Sequence, residues 1–242
     1  MELLPAIDLR RGRVVRLRKG DDAQRTTYDL DPLDTLLHFA GLGVGRVHVV
    51  DLDAAFGEAP QRDLVERLAG HPRAPRIELG GGLRDAESVE WAFGVGVERA
   101  VVTSMMVKNF VLFRQLVEAW PDRLVAALDV EAGILRYSGW TESAESSLDD
   151  ICRDLAPLPL AGALVTDIAR DGTLCGPNIE LLCDVAGKAH APGILSGGVC
   201  SLDDLRQARE APEVVEVIVG KALYDGAIDP LEAIRVCRGE VV

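Results

Sequence analysis

The chain has 242 residues, 48% of them hydrophobic, and a formal net charge of −13. That is enough apolar material for one large core in a single domain, and the acidic balance excludes a nucleic-acid backbone as partner, because phosphates demand a basic surface. There is no apolar run of about 18 residues to span a membrane, the four histidines lack zinc spacing, and five cysteines without a C-x-x-C pair (Cys152, Cys175, Cys183, Cys200, Cys237) point to a reduced, cytoplasmic protein.

Taken in chain order, Met1-Glu2-Leu3-Leu4-Pro5 lacks a basic n-region and a long apolar h-region, so it reads as the start of a strand (3–7) rather than a signal peptide. That strand closes on Asp8. The segment 9–30 is long, charged and glycine-containing, as a mobile lid would be. A helix over 31–43 follows, then a strand over 46–50 that contains His48 and closes on Asp51. After a helix over 61–70, a strand over 76–79 runs into Gly80-Gly81-Gly82, and Asp85 with Ser88 starts a helix over 85–95. A strand over 99–103 closes on Thr103-Ser104 and precedes a helix over 109–119. A strand over 124–128 closes on Asp129, and 130–146 is a second long, lid-like segment. Beyond a helix over 147–157, a strand over 162–166 closes on Thr166-Asp167, followed by Arg170-Asp171-Gly172. A helix over 178–189 leads to a strand over 193–196 and its loop Gly197-Gly198. Ser201 and Asp204 then form a capping-box spacing for a helix over 201–210. The last strand, 216–219, closes on Gly220-Lys221 before a helix over 230–237.

The strand runs are continuously apolar, as parallel strands buried on both faces should be. The landmarks also repeat in order about half a chain apart: Ile7-Asp8 and Leu128-Asp129, Asp51 and Asp167, Gly81-Gly82 and Gly197-Gly198, Thr103-Ser104 and Gly220-Lys221. Eight β-α units with a two-fold repeat imply one (β/α)8 barrel built from half-barrels of about 1–122 and 123–242. A doubly wound open sheet would leave the repeat unexplained.

In such a barrel the active site lies at the C-terminal strand ends, which here carry Asp8, Asp51, Thr103, Asp129, Thr166, Ser196 and Gly220. An aspartate after a strand commonly just caps the next turn. Asp8 and Asp129, however, match by repeat and face each other across the mouth, as general acid–base catalysis requires. Paired glycines let backbone approach a ligand, and helix N-termini offer N–H groups to anions. Gly197-Gly198 with Gly220-Lys221 matches the phosphate site common after strands 7 and 8 of these barrels. The repeat places a second site at Gly81-Gly82 with Thr103-Ser104. Two such sites imply an elongated substrate with a phosphate at each end.

The motifs Pro5-Ala6-Ile7-Asp8-Leu9, Gly12-Arg13-Val14-Val15-Arg16-Leu17, Val47-His48-Val49-Val50-Asp51, Gly80-Gly81-Gly82-Leu83-Arg84, Gly139-Trp140, Thr166-Asp167-Ile168-Ala169-Arg170-Asp171-Gly172-Thr173 and Ser196-Gly197-Gly198-Val199 together resemble the ProFAR isomerase family of histidine biosynthesis, over essentially the whole chain. The resemblance implies an Amadori rearrangement of a bisphosphorylated aminoaldose to its aminoketose, an intramolecular oxidation–reduction without cofactor or metal, by a monomer. It makes Asp8 one catalytic carboxylate and gives the second role to Asp129 or Asp171, with Asp171 the better acid. It places Thr166 beside them, Trp140 over the substrate ring, and Arg16 and His48 among the substrate-binding residues. Thr103-Ser104 departs from a family Gly-Ser or Gly-Thr, and Ser138 stands where a dual-substrate form, which also takes phosphoribosyl anthranilate, carries an arginine. The sister cyclase opens on Pro-Cys-Leu-Asp-Val rather than Pro-Ala-Ile-Asp-Leu. A non-catalytic phosphosugar-binding barrel would need the glycine loops but not the carboxylates.

Overall fold

The computed structural model describes residues 1–240. Its apolar runs form eight parallel strands: β1 (Glu2–Arg10), β2 (Arg46–Asp51), β3 (Arg76–Gly80), β4 (Arg99–Val102), β5 (Leu124–Glu131), β6 (Gly162–Asp167), β7 (Gly193–Ser196) and β8 (Val214–Val219). Each pairs with its successor, and β8 pairs back to β1 through Leu3↔Val217 and Pro5↔Val219, which closes the barrel and leaves no open edge in it.

Eight helices cover the outside: α1 (Pro32–Gly41), α2 (Arg62–Ala69), α3 (Ala86–Gly94), α4 (Phe110–Ala119), α5 (Leu148–Leu155), α6 (Ile179–Ala189), α7 (Leu202–Glu210) and α8 (Pro230–Arg238). Local chemistry sets their starts. Asp31 and Asp229 accept first-turn N–H groups ahead of a proline at the first helical position, and Asp85/Ser88 and Ser201/Asp204 form the two expected capping boxes. Each such cap contributes about 1 kcal/mol.

The larger core lies between barrel and helices, with Leu36, Leu68, Phe113 and Leu155 fully buried. A smaller cluster of Leu4, Ala6, Val101, Val125, Ala127, Leu164 and Ile218 fills the barrel interior and forms the floor beneath the mouth. Below it the interior is charged. Arg46 lies 2.6 Å and Arg99 2.9 Å from Glu216, all three on barrel strands.

The two lid-like segments are β-hairpins rather than irregular loops. Arg13–Arg18 pairs antiparallel with the end of β1 (Asp8↔Val15) and with Asp21–Thr27, while Ile134–Tyr137 pairs with the end of β5 (Asp129↔Arg136) and with Glu142–Ser143. These pairings also carry β1 and β5 beyond their expected ends. Short helices over Leu52–Ala55, Ser104–Lys108 and Lys221–Tyr224 follow β2, β4 and β8. Each is about one turn, too short for a hydrophobic period to register in sequence.

Candidate active site

The mouth of the barrel is one cavity, and most of the expected residues line it. Asp8, Asp129, Thr166 and Ser196 come from strands; Arg16, Trp140 and Asp171 come from the segments that rise above them. Asp8 ends the inward face of β1 and pairs with Arg16 Nη1 at 2.7 Å, each side chain only 12% exposed. Burial pushes the Asp8 carboxyl above its usual range, with the positive charges of Arg16 and His48 pulling it back. Burial likewise raises Asp129, opposed by hydrogen bonds from Trp140 and from the buried Thr166 hydroxyl. Asp171 is pushed up to about 6 by burial, with Asp8 and Asp129 adding repulsion and Arg16 opposing. Asp8, Asp129 and Asp171 therefore share the mouth with the Arg16 guanidinium.

The hairpins converge over this group. The Trp140 ring packs against Gly20, where an added Cβ would come within 2.8 Å of ring carbon Cζ3. Lys19 donates its N–H to the Asp171 carbonyl at 3.3 Å, and Gly172 lies so close to Leu17 that a Cβ would stand 2.7 Å from its carbonyl oxygen. The first hairpin is moored at both ends. Arg10 binds Asp53 (2.6 Å), Glu58 (2.7 Å) and Asp22 (3.3 Å), and Tyr28 stacks on Tyr224 at 4.9 Å.

On one side, Gly81, Gly82, Thr103 and Ser104 line the main cavity; on the other, Gly197, Gly198, Gly220 and Lys221 line an adjoining one, which Arg16 and Asp171 share. Among the described residues, the helices starting at Ser104 and Lys221 have no side-chain cap, and the first residue of each lines one of these recesses. The Arg16 guanidinium packs against Gly220, and its buried Nε has no hydrogen-bond partner among the described residues. Ser104 Oγ accepts the Ser138 N–H at 3.0 Å and keeps its own hydrogen to donate. The Lys221 ammonium is paired with Asp225.

Two expectations change. In the helices that follow the glycine loops, α3 and α7, the capping boxes already use the N-cap and third-residue N–H groups, and Asp204 also takes the Cys200 N–H at 2.8 Å, so only the N–H groups of the first two helical residues stay open to an anion. The glycines themselves are dictated by packing as well. Gly81, Gly82 and Gly198 have φ of +93°, +74° and +86°, and a Cβ on each would strike Asp51, Ala54 and Gly176 respectively. Asp51, a strand-end aspartate like Asp8, turns away from the cavity. It accepts the Gln61 N–H at 2.7 Å and the Ala54 N–H at 3.2 Å.

Sequence reasoning did not single out Gly20, Phe56 or Arg84, which also line the cavity. Arg84 stands at the end of the Gly-Gly-Gly-Leu-Arg run and donates to the Ala55 carbonyl at 2.9 Å, so its place in the motif was the available signal. Gly20 and Phe56 gave none, because each matters through a partner distant in sequence.

Residues 2–229 match a protein-family model described as "Histidine biosynthesis protein". Similar proteins named 1-(5-phosphoribosyl)-5-((5-phosphoribosylamino)methylideneamino)imidazole-4-carboxamide isomerase occur in Nitrobacter winogradskyi, 40% identical over 96% of this chain and 94% of that one, in Nitrobacter hamburgensis, 39% identical over 98% of both, and in Symbiobacterium thermophilum, 38% identical over 98% and 97%.

Proposed function

The chain belongs to the histidine-biosynthesis protein family, and from that premise we propose that it is the isomerase that converts ProFAR, the aminoaldose in its relatives' name, to the phosphoribulosyl aminoketose. The observation that carries the reading is the set of Asp8, Asp129 and Asp171 around one cavity, flanked on opposite sides by the uncapped helix starts at Ser104 and Lys221.

Each phosphate sits at one recess, held by backbone N–H groups and hydroxyls, with Arg16 reaching into the second. Trp140 lies over the substrate and excludes water. Asp171, with a proton available near pH 6, protonates the ribose ring oxygen. The ring opens to a protonated Schiff base between C1 and nitrogen. Asp8, paired with Arg16 at 2.7 Å, removes the C2 proton, and the electron pair moves to give an enolamine. Protonation at C1 and loss of the C2 hydroxyl hydrogen yield the ketone, so C1 is reduced as C2 is oxidised. Asp129, beside Thr166 and Trp140 in the cavity lining, orients the substrate and the tryptophan. Every group this scheme uses comes from one chain, which fits a monomer, and the free state of all five cysteines fits a reducing cytoplasm.

The test is an assay of the purified protein with ProFAR and, separately, phosphoribosyl anthranilate. Turnover of the first is expected. Ser138 supplies no cation at the position where the dual-substrate form carries an arginine, so the second should be a poor substrate. Failure to turn over ProFAR would overturn the reading, and comparable rates on both would make the protein a dual-substrate isomerase.

A further inference from the structure

His48 stands on the cavity floor, one inward step below Asp8: its neighbour on β1 is Ala6, while Asp8 is level with Val50. The Nδ1 of His48 lies 2.8 Å from Oε1 of Glu78, the residue level with it on β3. Glu78 has no solvent exposure and does not line the cavity. Its Oε2 has no hydrogen-bond partner among the described residues and lies 3.7 Å from Arg99 Nη1, a group already bound to Glu216 at 2.9 Å. Among the described residues, the His48 contact is thus the one side-chain hydrogen bond that Glu78 makes.

A carboxylate taken wholly out of water and bonded on one oxygen is costly, and an apolar side chain in its place would carry less penalty. The acid–base scheme above gives Glu78 no part. The geometry nevertheless aims it at the single ring that rises into the floor. A carboxylate can only accept, so Nδ1 must carry the hydrogen, and Nε2 is then the ring atom left to face the substrate.

We propose that Glu78 is a positioning residue of the isomerisation: by holding the Nδ1 hydrogen of His48 it fixes the ring's tautomer and aim, so that Nε2 meets a sugar hydroxyl between Asp8 and Asp129. This rests on the isomerase reading. The charged groups around the ring are Glu78 beside it, Arg99 and Glu216 below, and Asp8 and Asp129 above.

The first experiment needs no substitution. Nitrogen-15 spectra of the wild-type protein, labelled at histidine, read the tautomer of His48, which is the buried one of the four histidines. A hydrogen on Nδ1 across the active pH range is expected, and a neutral ring protonated on Nε2 instead would overturn the proposal. The second is a double-mutant cycle on ProFAR turnover. Glu78→Leu, which removes the acceptor, should lower kcat about tenfold with KM changed less than about threefold. In a His48→Asn background the same change should cost almost nothing further. Equal losses in both backgrounds would make Glu78 a structural member of the ion cluster and overturn the role. If the wild type did not isomerise ProFAR, the isomerase reading itself would fall and the role with it, whereas normal wild-type turnover with additive losses would sink this proposal alone.

Discussion

Removing a carboxyl from water disfavours its charge, and the same burial that makes Asp171 a usable acid also weighs on the fold. Its value of about 6 means that turnover requiring its proton should fall as pH rises through about 6. We expect Asp171→Asn to lower kcat by about two to four orders of magnitude and to flatten that limb of the pH profile. Asp8→Asn should lower kcat on the same scale, with substrate affinity changed far less because both phosphate recesses are intact. Asp129→Asn should cost less if it only orients the substrate, and kcat measured for all three variants separates the roles. The Asp171 substitution acts in the opposite sense on stability. The folded value of Asp171 lies above the unfolded one, so its contribution is complete below about 4 and is lost as pH rises through about 6. Above that, ionising it in place costs up to roughly 3 kcal/mol, less whatever its partial exposure screens. Asp171→Asn should therefore melt several degrees above wild type near pH 8 and close to it near pH 4. A variant that melts lower than wild type near pH 8 would contradict this account.

The hairpins decide how the mouth is covered, and their contact rests on a missing side chain. Gly20 has φ +69°, and a Cβ there would meet the Trp140 ring. Gly12 offers a control in the same hairpin, with φ +74° and nothing within 4 Å of its Cβ position. Both alanine variants should lose about 1–2 kcal/mol to left-handed strain. Only Gly20→Ala should also displace Trp140, lowering kcat/KM by one to two orders, the scale set by a shift of about 1 Å at a reacting site. Chemical denaturation and kinetics on the pair measure this, and equal kinetic effects would show that Trp140 does not depend on Gly20. The eight barrel strands and eight outer helices were legible because their apolar runs and caps are local signals. The hairpins were not, since Arg13–Arg18 and Ile134–Tyr137 are strands by virtue of the protruding ends of β1 and β5. At the site, Asp8, Asp129 and Asp171 were legible from repeat and motif. Asp51 carries the same local signature and yet caps a turn, because the choice is made by Gln61 and Ala54, which pairing alone does not reveal. Glu78 stayed hidden for the same reason: its partner sits on the neighbouring strand.

At the scale of the whole molecule, 39 acidic and 26 basic side chains repel a bisphosphorylated substrate at long range. Recognition must come from local dipoles and from Arg16. The two recesses lie at matching places around the barrel, after β3 and β4 and after β7 and β8. If each recess holds one phosphate, ligand stoichiometry distinguishes single from double occupancy. Ribose 5-phosphate should bind with two molecules per chain, each weakly, whereas the bisphosphorylated product should bind with one. The product should also bind about a hundredfold more tightly or better, since seating one end raises the effective concentration of the other. Gly82→Ala, whose Cβ would strike Ala54, should remove one ribose 5-phosphate site, weaken the product towards the affinity of a monophosphate, and leave the recess at Gly198 and Gly220 able to bind. Calorimetric titration of both ligands into wild type and variant reads all of these quantities. A stoichiometry of one for ribose 5-phosphate on the wild type, unaffected by Gly82→Ala, would mean that only the recess after β7 and β8 binds phosphate, and the two-ended substrate would have to be given up.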